Sequence, residues 1–457
     1  MIDFKVDSMT SAGVVDQCFR FSSLFVIPWF IIGISVSFAS DISDDIDTHW
    51  GSELAHQHAA SVDDQYRPDL HHAVTPSQTL TLSAVLEHAV QYSPDYSRIM
   101  ALHQESDALK QRGDSLLGGA PAISASYTDD QPFNNRGYVQ AANNLQLPLW
   151  NWGQRAAGQR LGESAEQTAN RYPSALLWEV AGIVREALWS VALQHSRLEK
   201  AEQLLNLAQK RLKTIERRVD AGDLARADLL LGQSDILAHE SHLKQAEAGF
   251  VDANVHYINV SGLTQIPVNF SEQQSQLTSI GDNHPAIELL VAEVERANAR
   301  ISWVKKSGIA QPSINFGSTH ERDDRKTDIS NRLNIGISIP FGGGAFIAPK
   351  VAAANRNLIE TMSKLEQGRR RLAHDLHEAE HGIGVDQARL EIAKKRNIIA
   401  KQYMQMSEKA FQAGEIRLLD LIRIQKDSET TYLETVEAEI SLQRGIARYN
   451  QAVGELP

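Results

Sequence analysis

The strongest constraint on the fold of this 457-residue chain is an internal repeat, in which one pattern recurs 192 positions later. The matched residues lie where the hydrophobic periodicity changes type. They are Pro148 and Pro340, Gly222 and Gly414, Asp228 and Asp420, Tyr257 and Tyr449, and Gly262 and Gly454. Because such a repeat encodes one folding unit twice, both halves are predicted to build the same order of helices and strands.

Each half contains two segments with the two-residue alternation of a β-strand. These segments are 123–128 and 139–147 in the first half, and 313–317 and 333–339 in the second. Polar stretches at 129–137 and 320–331 separate the strands of each pair and are predicted to be surface loops. In the last strand an apolar row alternates with Asn334, Gly336 and Ser338; this row consists of Leu333, Ile335, Ile337 and Ile339.

The remaining pattern is helical and unusually long. Leading helices are predicted over 82–117 and 286–306, long helices over 153–218 and 348–410, and partner helices over 224–260 and 416–453. At 1.5 Å per residue each long helix spans roughly 100 Å, with a kink expected at Pro173. A leading and a partner helix together nearly match that length, so they are predicted to stack end to end beside it. The fold class is therefore mainly α, an elongated helical barrel with a β portion.

The N-terminal region has the pattern of a secretory signal. Lys5 and Arg20 precede an apolar run at 24–38, and Ala39 completes a cleavage site. The alternative is a membrane anchor, but the run is shorter than the roughly 20 residues that span a bilayer. The predicted domains are a signal peptide at 1–39, a polar histidine-rich segment at 40–80, a first repeat at 81–263, a linker at 264–283 and a second repeat at 284–457.

Composition excludes several functions. The net charge of -12 without basic patches argues against nucleic acid as a partner. The single cysteine, Cys18, lies in the predicted signal, so the mature chain has no disulfide and no thiolate metal ligand. A glycine run at 342–344 follows a strand but lacks the Lys and Ser/Thr of a phosphate-binding loop. The sequence therefore predicts neither an enzyme nor a cofactor.

Four strands cannot close a barrel, because about eight is the smallest practical number. Three chains would supply twelve strands, with the apolar row from Leu333 to Ile339 facing lipid and the polar row facing a water-filled lumen. The alternative is a soluble four-stranded sheet packed on helices, but the predicted helices are far too long to fold back over so small a sheet.

Over residues 80–456 the chain resembles the TolC family of outer-membrane channels. The resemblance rests on the strand-to-helix junctions, LPLWNWG at 147–153 and IPFGG at 339–343, and on the paired turns, DAGDL at 220–224 and QAGEI at 412–416. It implies a homotrimer with a twelve-strand barrel in outer-membrane lipid and a periplasmic α-helical tunnel. It also implies two protein partners, a periplasmic adaptor (membrane fusion) protein and an inner-membrane efflux pump.

The paired turns are candidate docking sites for the adaptor. Glycine supplies the left-handed conformation at a helix C-terminus, which already explains Gly222 and Gly414 structurally. The family resemblance adds a docking role for both turns, and the residues concerned are Gly222, Asp223, Leu224, Gly414, Glu415 and Ile416.

Asp228 and Asp420 lie six residues beyond the glycines and are candidates for a pore constriction. Three copies of each would form a ring of carboxylates, whereas the plainer interpretation is a solvated helix surface. Some relatives place a second acid where this chain has Arg423, so an Asp420–Arg423 pair at i, i+3 spacing is the expected alternative.

The substrate prediction favours divalent metal ions over drugs. Imidazole and carboxylate groups suit such ions, and the N-terminal segment carries His49, His56, His58, His71 and His72. A plain linker is the alternative for this segment. The charged loop at 322–325 also resembles the heavy-metal branch of the family. Two other functions stay open: the duct of a type I protein secretion system, and a periplasmic helical spacer that never inserts in a membrane.

Overall fold

The structure is a computed structural model that describes residues 74–132, 135–308 and 310–457. The predicted signal peptide and nearly all of the histidine-rich segment lie outside the described residues. The elements follow in chain order: β1 Thr75–Ser77, α1 Leu82–Tyr92, α2 Ser97–Asp114, β2 Ala122–Asp129, β3 Val139–Pro148, α3 Gln154–Asp220, α4 Arg226–Ser261, β4 Gln265–Pro267, α5 Pro285–Ser307, β5 Ser313–Arg322, β6 Ser330–Ser338, α6 Gly344–Gln412 and α7 Leu418–Val453.

The long helices α3 and α6 contain 67 and 69 residues, in agreement with the sequence prediction. α3 remains helical through Pro173. α2 and α4 pack along α3, and α5 and α7 pack along α6, so pairs of shorter helices lie beside each long one as predicted. Within the described ranges no helix is both long and apolar enough to cross a membrane.

The prediction of one continuous helix over 82–117 is wrong, because the structure has two helices there. α1 ends at Tyr92, Ser93 is extended with ψ 134°, and a single 3-10 turn at Pro94–Tyr96 leads into α2. The cause is Pro94, because the proline ring disfavours the α conformation of the residue before it. The Ser93 side chain accepts a hydrogen bond from the Asp95 backbone N–H at 3.3 Å and so caps the new turn.

The larger sheet is antiparallel in the order β2-β3-β5-β6. Its register aligns Ile123, Leu145, Phe316 and Ile335 across all four strands. Because side chains alternate between faces, these four residues share one face and the polar row of Asn334 takes the other. The predicted apolar face is therefore present on all four strands at this level, whereas polar residues such as Asn143, Ser318 and His320 share that face nearer the 323–329 loop.

The predicted loop at 320–331 is too long. β5 continues to Arg322 and β6 begins at Ser330, so only 323–329 connects them. Cross-strand polar contacts explain the extension, since Arg332 pairs with Glu321 and His320 Nδ1 lies 2.6 Å from Asn331 Oδ1. In the sequence these polar residues are typical of a loop, but in the structure they pair with residues of the neighbouring strand.

A second, small sheet was not predicted. β1 pairs in parallel with β4, so the end of the histidine-rich segment joins the linker between the repeats. Tyr257 supports this contact, because its hydroxyl donates to the Gln265 carbonyl at 2.7 Å. Tyr257 is fully buried in the main apolar cluster, and burial raises its pKa to about 12, so the phenol stays protonated.

Arg185 joins three parts of the chain beside this region. It donates two hydrogen bonds to the Glu272 carboxylate at 2.9 and 2.6 Å, one to Gln451 Oε1 at 2.6 Å and one to the Glu455 carbonyl at 3.0 Å. The side chains of Arg185 and Glu272 are 3% and 12% exposed. Helix α3, the linker and the end of α7 are therefore held by one guanidinium.

Replacing Arg185 by leucine should destabilise the protein by about 3–5 kcal/mol, because Glu272 would keep a buried charge without its partner. Arg197→Leu is the matched control, since the Arg197–Glu437 pair is partly exposed and such pairs contribute about 0–1 kcal/mol. Chemical unfolding of the purified proteins in detergent measures both losses. Equal losses would contradict the role of Arg185.

Candidate functional site

The turn between α3 and α4 is a glycine-ended helix cap. Gly222 has φ +79°, and its N–H donates to the Val219 carbonyl at 3.0 Å. The Asp223 N–H donates to the Arg218 carbonyl at 2.8 Å. These two bonds define a Schellman motif, which satisfies carbonyls at the helix end and turns the chain back.

The turn between α6 and α7 has the same geometry. Gly414 has φ +82° and donates to the Phe411 carbonyl at 3.0 Å, while the Glu415 N–H donates to the Ala410 carbonyl at 2.9 Å. The prediction that a glycine in the left-handed conformation ends each long helix is therefore confirmed at both turns. A docking role for the turns stays a prediction.

The six candidate docking residues divide into two groups. The glycines and the acids that follow them, Asp223 and Glu415, are exposed at the turns. Leu224 and Ile416 are half-buried instead, packed against a cluster of Ile215, Phe411, Leu418 and Leu421. Each turn thus presents an acid to solvent and uses the apolar residue to hold the helices together.

Arg218 is a residue of this site that the sequence interpretation missed. Its Nε donates to Asp223, and its Nη1 donates to the Phe411 carbonyl at 3.1 Å. The guanidinium also lies 4.8 Å from the centre of the Phe411 ring. Arg218 therefore joins the first turn to the end of α6. A cation in the last turn of a helix was a signal that could have identified it.

Asp228 and Asp420 stand in the first turns of α4 and α7. Asp228 Oδ2 accepts a hydrogen bond from the Ala225 N–H at 3.2 Å, which caps the start of α4. Asp420 Oδ2 accepts from Arg417 Nε at 3.1 Å. Both carboxylates meet the positive end of a helix dipole, which stabilises them without a pore.

The expected Asp420–Arg423 pair is wrong. Asp420 pairs with Arg417, because Arg417 is the extended residue before α7 and its side chain lies beside the first turn. Arg423 is exposed and has no ion pair with another described residue. The pore role of Asp228, Asp420 and Arg423 stays a prediction.

Metal ligands are not grouped in the described part of the chain, where no set of three or more His, Cys, Asp or Glu side chains is arranged to hold an ion. A cavity of about 530 Å³ between α3, α4 and α7 is lined by Asp235 and His239, but Asp235 is paired with Arg211. The predicted ligands His49, His56, His58, His71 and His72 lie outside the described residues.

The apolar row of β6 is open to solvent in the single chain. Leu333, Ile335, Ile337 and Ile339 are 67–77% exposed. Beyond the strands, at the junctions with the long helices, Trp152 and Phe341 are both 95% exposed. Aromatic residues flanking an apolar band are typical of a membrane interface. The flanking aromatics were present in the junction motifs, but their exposure was not predicted.

The long paired helices and the small open-edged sheet define the class: the chain has the fold of outer-membrane channels of the TolC type, as its sequence resemblance predicts. The CusC structure, described as forming a transmembrane channel, matches with a TM-score of 0.67 at 13% identity over 86% of this chain and 96% of CusC. The CmeC outer membrane channel of Campylobacter jejuni matches with a TM-score of 0.66 at 13% identity, over 82% and 85% of the two chains.

A curated relative also aligns with most of the chain. The cobalt-zinc-cadmium resistance protein CzcC of Cupriavidus metallidurans is 20% identical over 324 residues, which is 66% of this chain and 76% of CzcC. No protein-family model matches the chain. At these identities the structural likeness establishes the fold.

Replacing Gly222 or Gly414 by alanine should destabilise the protein by about 1–2 kcal/mol per site, because an L side chain is disfavoured in the left-handed conformation. No atom lies within 4 Å of an added Cβ at either position, so steric contact adds nothing. Gly382→Ala is the control, since Gly382 lies inside α6 with equally open space and should stabilise by about 0.5–1 kcal/mol. Chemical unfolding measures all three; a stabilising change at the turns would contradict the interpretation.

Proposed function

We propose that three copies of this chain form the outer-membrane exit duct of a tripartite efflux system. Their sheets would close into a twelve-strand barrel in the outer membrane, and their helices would form a tunnel through the periplasm. The observation that carries this proposal is a sheet with two unpaired edge strands and with one apolar and one polar face. Unpaired edges and an exposed apolar face both need covering, by another chain and by lipid respectively.

The duct is passive. The chain provides a path, while an inner-membrane pump supplies the energy and a periplasmic adaptor connects the two. The acids exposed at the turns, Asp223 and Glu415, are the proposed contact points for basic groups of the adaptor. The role requires no catalytic step and no cofactor.

Divalent metal cations are the proposed cargo. The alignment with a cobalt-zinc-cadmium resistance protein supports this choice. The histidines at 49–72 support it as well, because weak imidazole ligands at the periplasmic surface would raise the local concentration of such ions. The cargo needs no fixed site, because a duct that bound ions tightly would release them slowly.

Deleting the gene should make cells sensitive to zinc, cobalt or cadmium while leaving their tolerance of dyes and detergents unchanged. Growth inhibition at graded concentrations of each compound, with the gene restored on a plasmid as control, measures the effect. Sensitivity to dyes and detergents alone would favour drugs as the cargo and discard metals. Normal tolerance of every compound tested would contradict an efflux role.

The barrel proposal predicts that arginine is tolerated on one face of β6 only. Ile335→Arg should cost about 2–4 kcal/mol per chain, the penalty of a charge facing lipid at mid-membrane. Asn334→Arg is the matched control, because it lies at nearly the same depth on the polar face, where it hydrogen-bonds Thr319 at 2.9 Å. The yield of heat-resistant oligomers from outer-membrane fractions compares the two variants. Equal losses would refute the assignment of the faces.

A further inference from the structure

A second cavity of about 530 Å³ lies between α3, α6 and α7, so residues of both repeats line it. Towards the turns its two arginines already have carboxylate partners, since Arg211 is paired with Asp235 and Arg218 with Asp223. The end away from the turns is different, because the cations there have no such partner.

These cations are Lys200 of α3 and Lys401 of α6, and their ammonium groups lie near the same aromatic ring. Their Nζ atoms are 4.2 and 5.7 Å from the centre of the Tyr432 ring, so the sum of these distances, about 10 Å, is the upper limit of their separation. Neither ammonium has an ion pair with a carboxylate of the described chain. At this separation salt does not fully screen the repulsion between two like charges.

The pKa of Lys200 reflects this arrangement. Burial lowers it most from the ordinary value of a lysine, Glu429 raises it in part, and the charge of Lys401 lowers it further. A lowered pKa means that the protonated form is disfavoured in the folded chain. An anion between the two ammonium groups would relieve their repulsion and raise this pKa again.

Neutral polar groups surround the two lysines. Asn397 precedes Lys401 by four residues on α6, and Ser428 precedes Tyr432 by four on α7, so each pair shares one face of its helix. The pairs lie at the same level, 13–17 residues before Gly414 and 14–18 residues after it, and all four side chains line the cavity. The two hydroxyls have no hydrogen-bond partner among the described residues and are therefore available to an anion.

Asn397 adds a requirement for a hydrogen-bond donor. Its Oδ1 is buried and accepts no hydrogen bond from the described part of the chain. Burying an acceptor without a donor is costly in a folded protein. A ligand with one O–H group beside its anionic oxygens would satisfy both Asn397 and the lysines. Monohydrogen phosphate is such an ion at neutral pH, whereas sulfate has the same shape and charge but no proton.

Two carboxylates also line the cavity. Glu408 lies only six residues before Gly414 and so nearer the turns. Glu429 is near enough to Lys200 to influence its charge, and it accepts a hydrogen bond from Gln425 Nε2 at 2.6 Å. The charge of Glu429 competes with a bound anion for Lys200, so its removal should strengthen the binding of an anion.

We infer that this end of the cavity binds inorganic phosphate, with the ammonium groups of Lys200 and Lys401 on the anionic oxygens and Asn397 Oδ1 accepting the phosphate O–H. Phosphate bound there connects α3 of the first repeat to α6 and α7 of the second. The inference goes beyond the proposed function and does not depend on it, because all of these side chains belong to one chain.

Isothermal titration calorimetry of the purified protein in detergent and phosphate-free buffer tests the site. Inorganic phosphate should bind, and sulfate should bind at least about tenfold more weakly, because it has no proton to donate to Asn397. Equal affinities would indicate a simple charge site and overturn the assignment to phosphate. Absence of binding at millimolar phosphate would overturn the whole inference.

Charge variants identify the cations. Lys401→Gln should weaken phosphate binding about tenfold, because it removes one of the two charges that hold the anion. Lys395→Gln is the matched control, since Lys395 is an exposed lysine of α6 that does not line the cavity, and it should leave the affinity unchanged. Glu429→Gln should increase the affinity. An unchanged affinity in Lys401→Gln, or an equal loss in the control, would contradict the site.

Asn397→Leu separates the hydrogen bond from the charges. It should reduce the affinity for phosphate to that for sulfate and leave the affinity for sulfate unchanged, a difference that general misfolding would not produce. Retained preference for phosphate would refute the role of Asn397. Because binding is measured on the purified protein, its failure would leave the proposed duct intact, and normal metal tolerance of the deletion strain would leave the phosphate site intact.

Discussion

At Gly222 and Gly414 the chain reverses direction through backbone angles that glycine adopts at little cost. Each reversal places a helix of more than sixty residues antiparallel to its partner. The two turns lie at nearly equal height, because Arg218 near the first turn contacts Phe411 near the second. The remaining geometry of the helical region depends on this arrangement. If either helix continued past its glycine, the apolar residues beside the turns, Leu224 and Ile416, would lose the cluster they share.

The C-terminal ends of α4 and α7, far from the turns, are held by polar interactions. There the linker meets the C-terminal residues at a buried guanidinium, Arg185, and meets the segment before α1 in a short parallel pair of strands. A buried ion pair is stable only when its hydrogen bonds are nearly all satisfied, and Arg185 meets this condition with four acceptor atoms. Buried apolar residues hold the helices together along their length, whereas the polar cluster around Arg185 fixes where the linker and the residues after α7 lie.

The sheet and the helices both expose surface that is unfavourable in water. Among the described residues the sheet has two unpaired edges and an apolar face, and α4 and α6 carry exposed apolar residues such as Leu237 and Ile399. β6 and α6 belong to the same side of the molecule, because only residues 339–343 separate them. The proposed association between copies would pair the open strand edges, and lipid would cover the apolar face of the sheet.

Most of the architecture could be predicted from the sequence, because periodicity and helix caps are local properties. The long helices, the four strands and the glycine turns depend on residues within a few positions of one another. The break at Pro94 was equally local, and the longer apolar pattern concealed it. The TolC resemblance supplied the expectation of a trimer and of partner proteins, which hydrophobic periodicity cannot predict.

Tertiary structure alone decided the contacts between distant residues. The pairing of β1 with β4, the partners of Arg185 and the link from Arg218 to Phe411 join residues 87 to 270 positions apart. Even the choice of Arg417 over Arg423 for Asp420 depended on the extended backbone before α7. A side-chain partner is selected by distance and direction in space, and sequence spacing determines these only within one regular element.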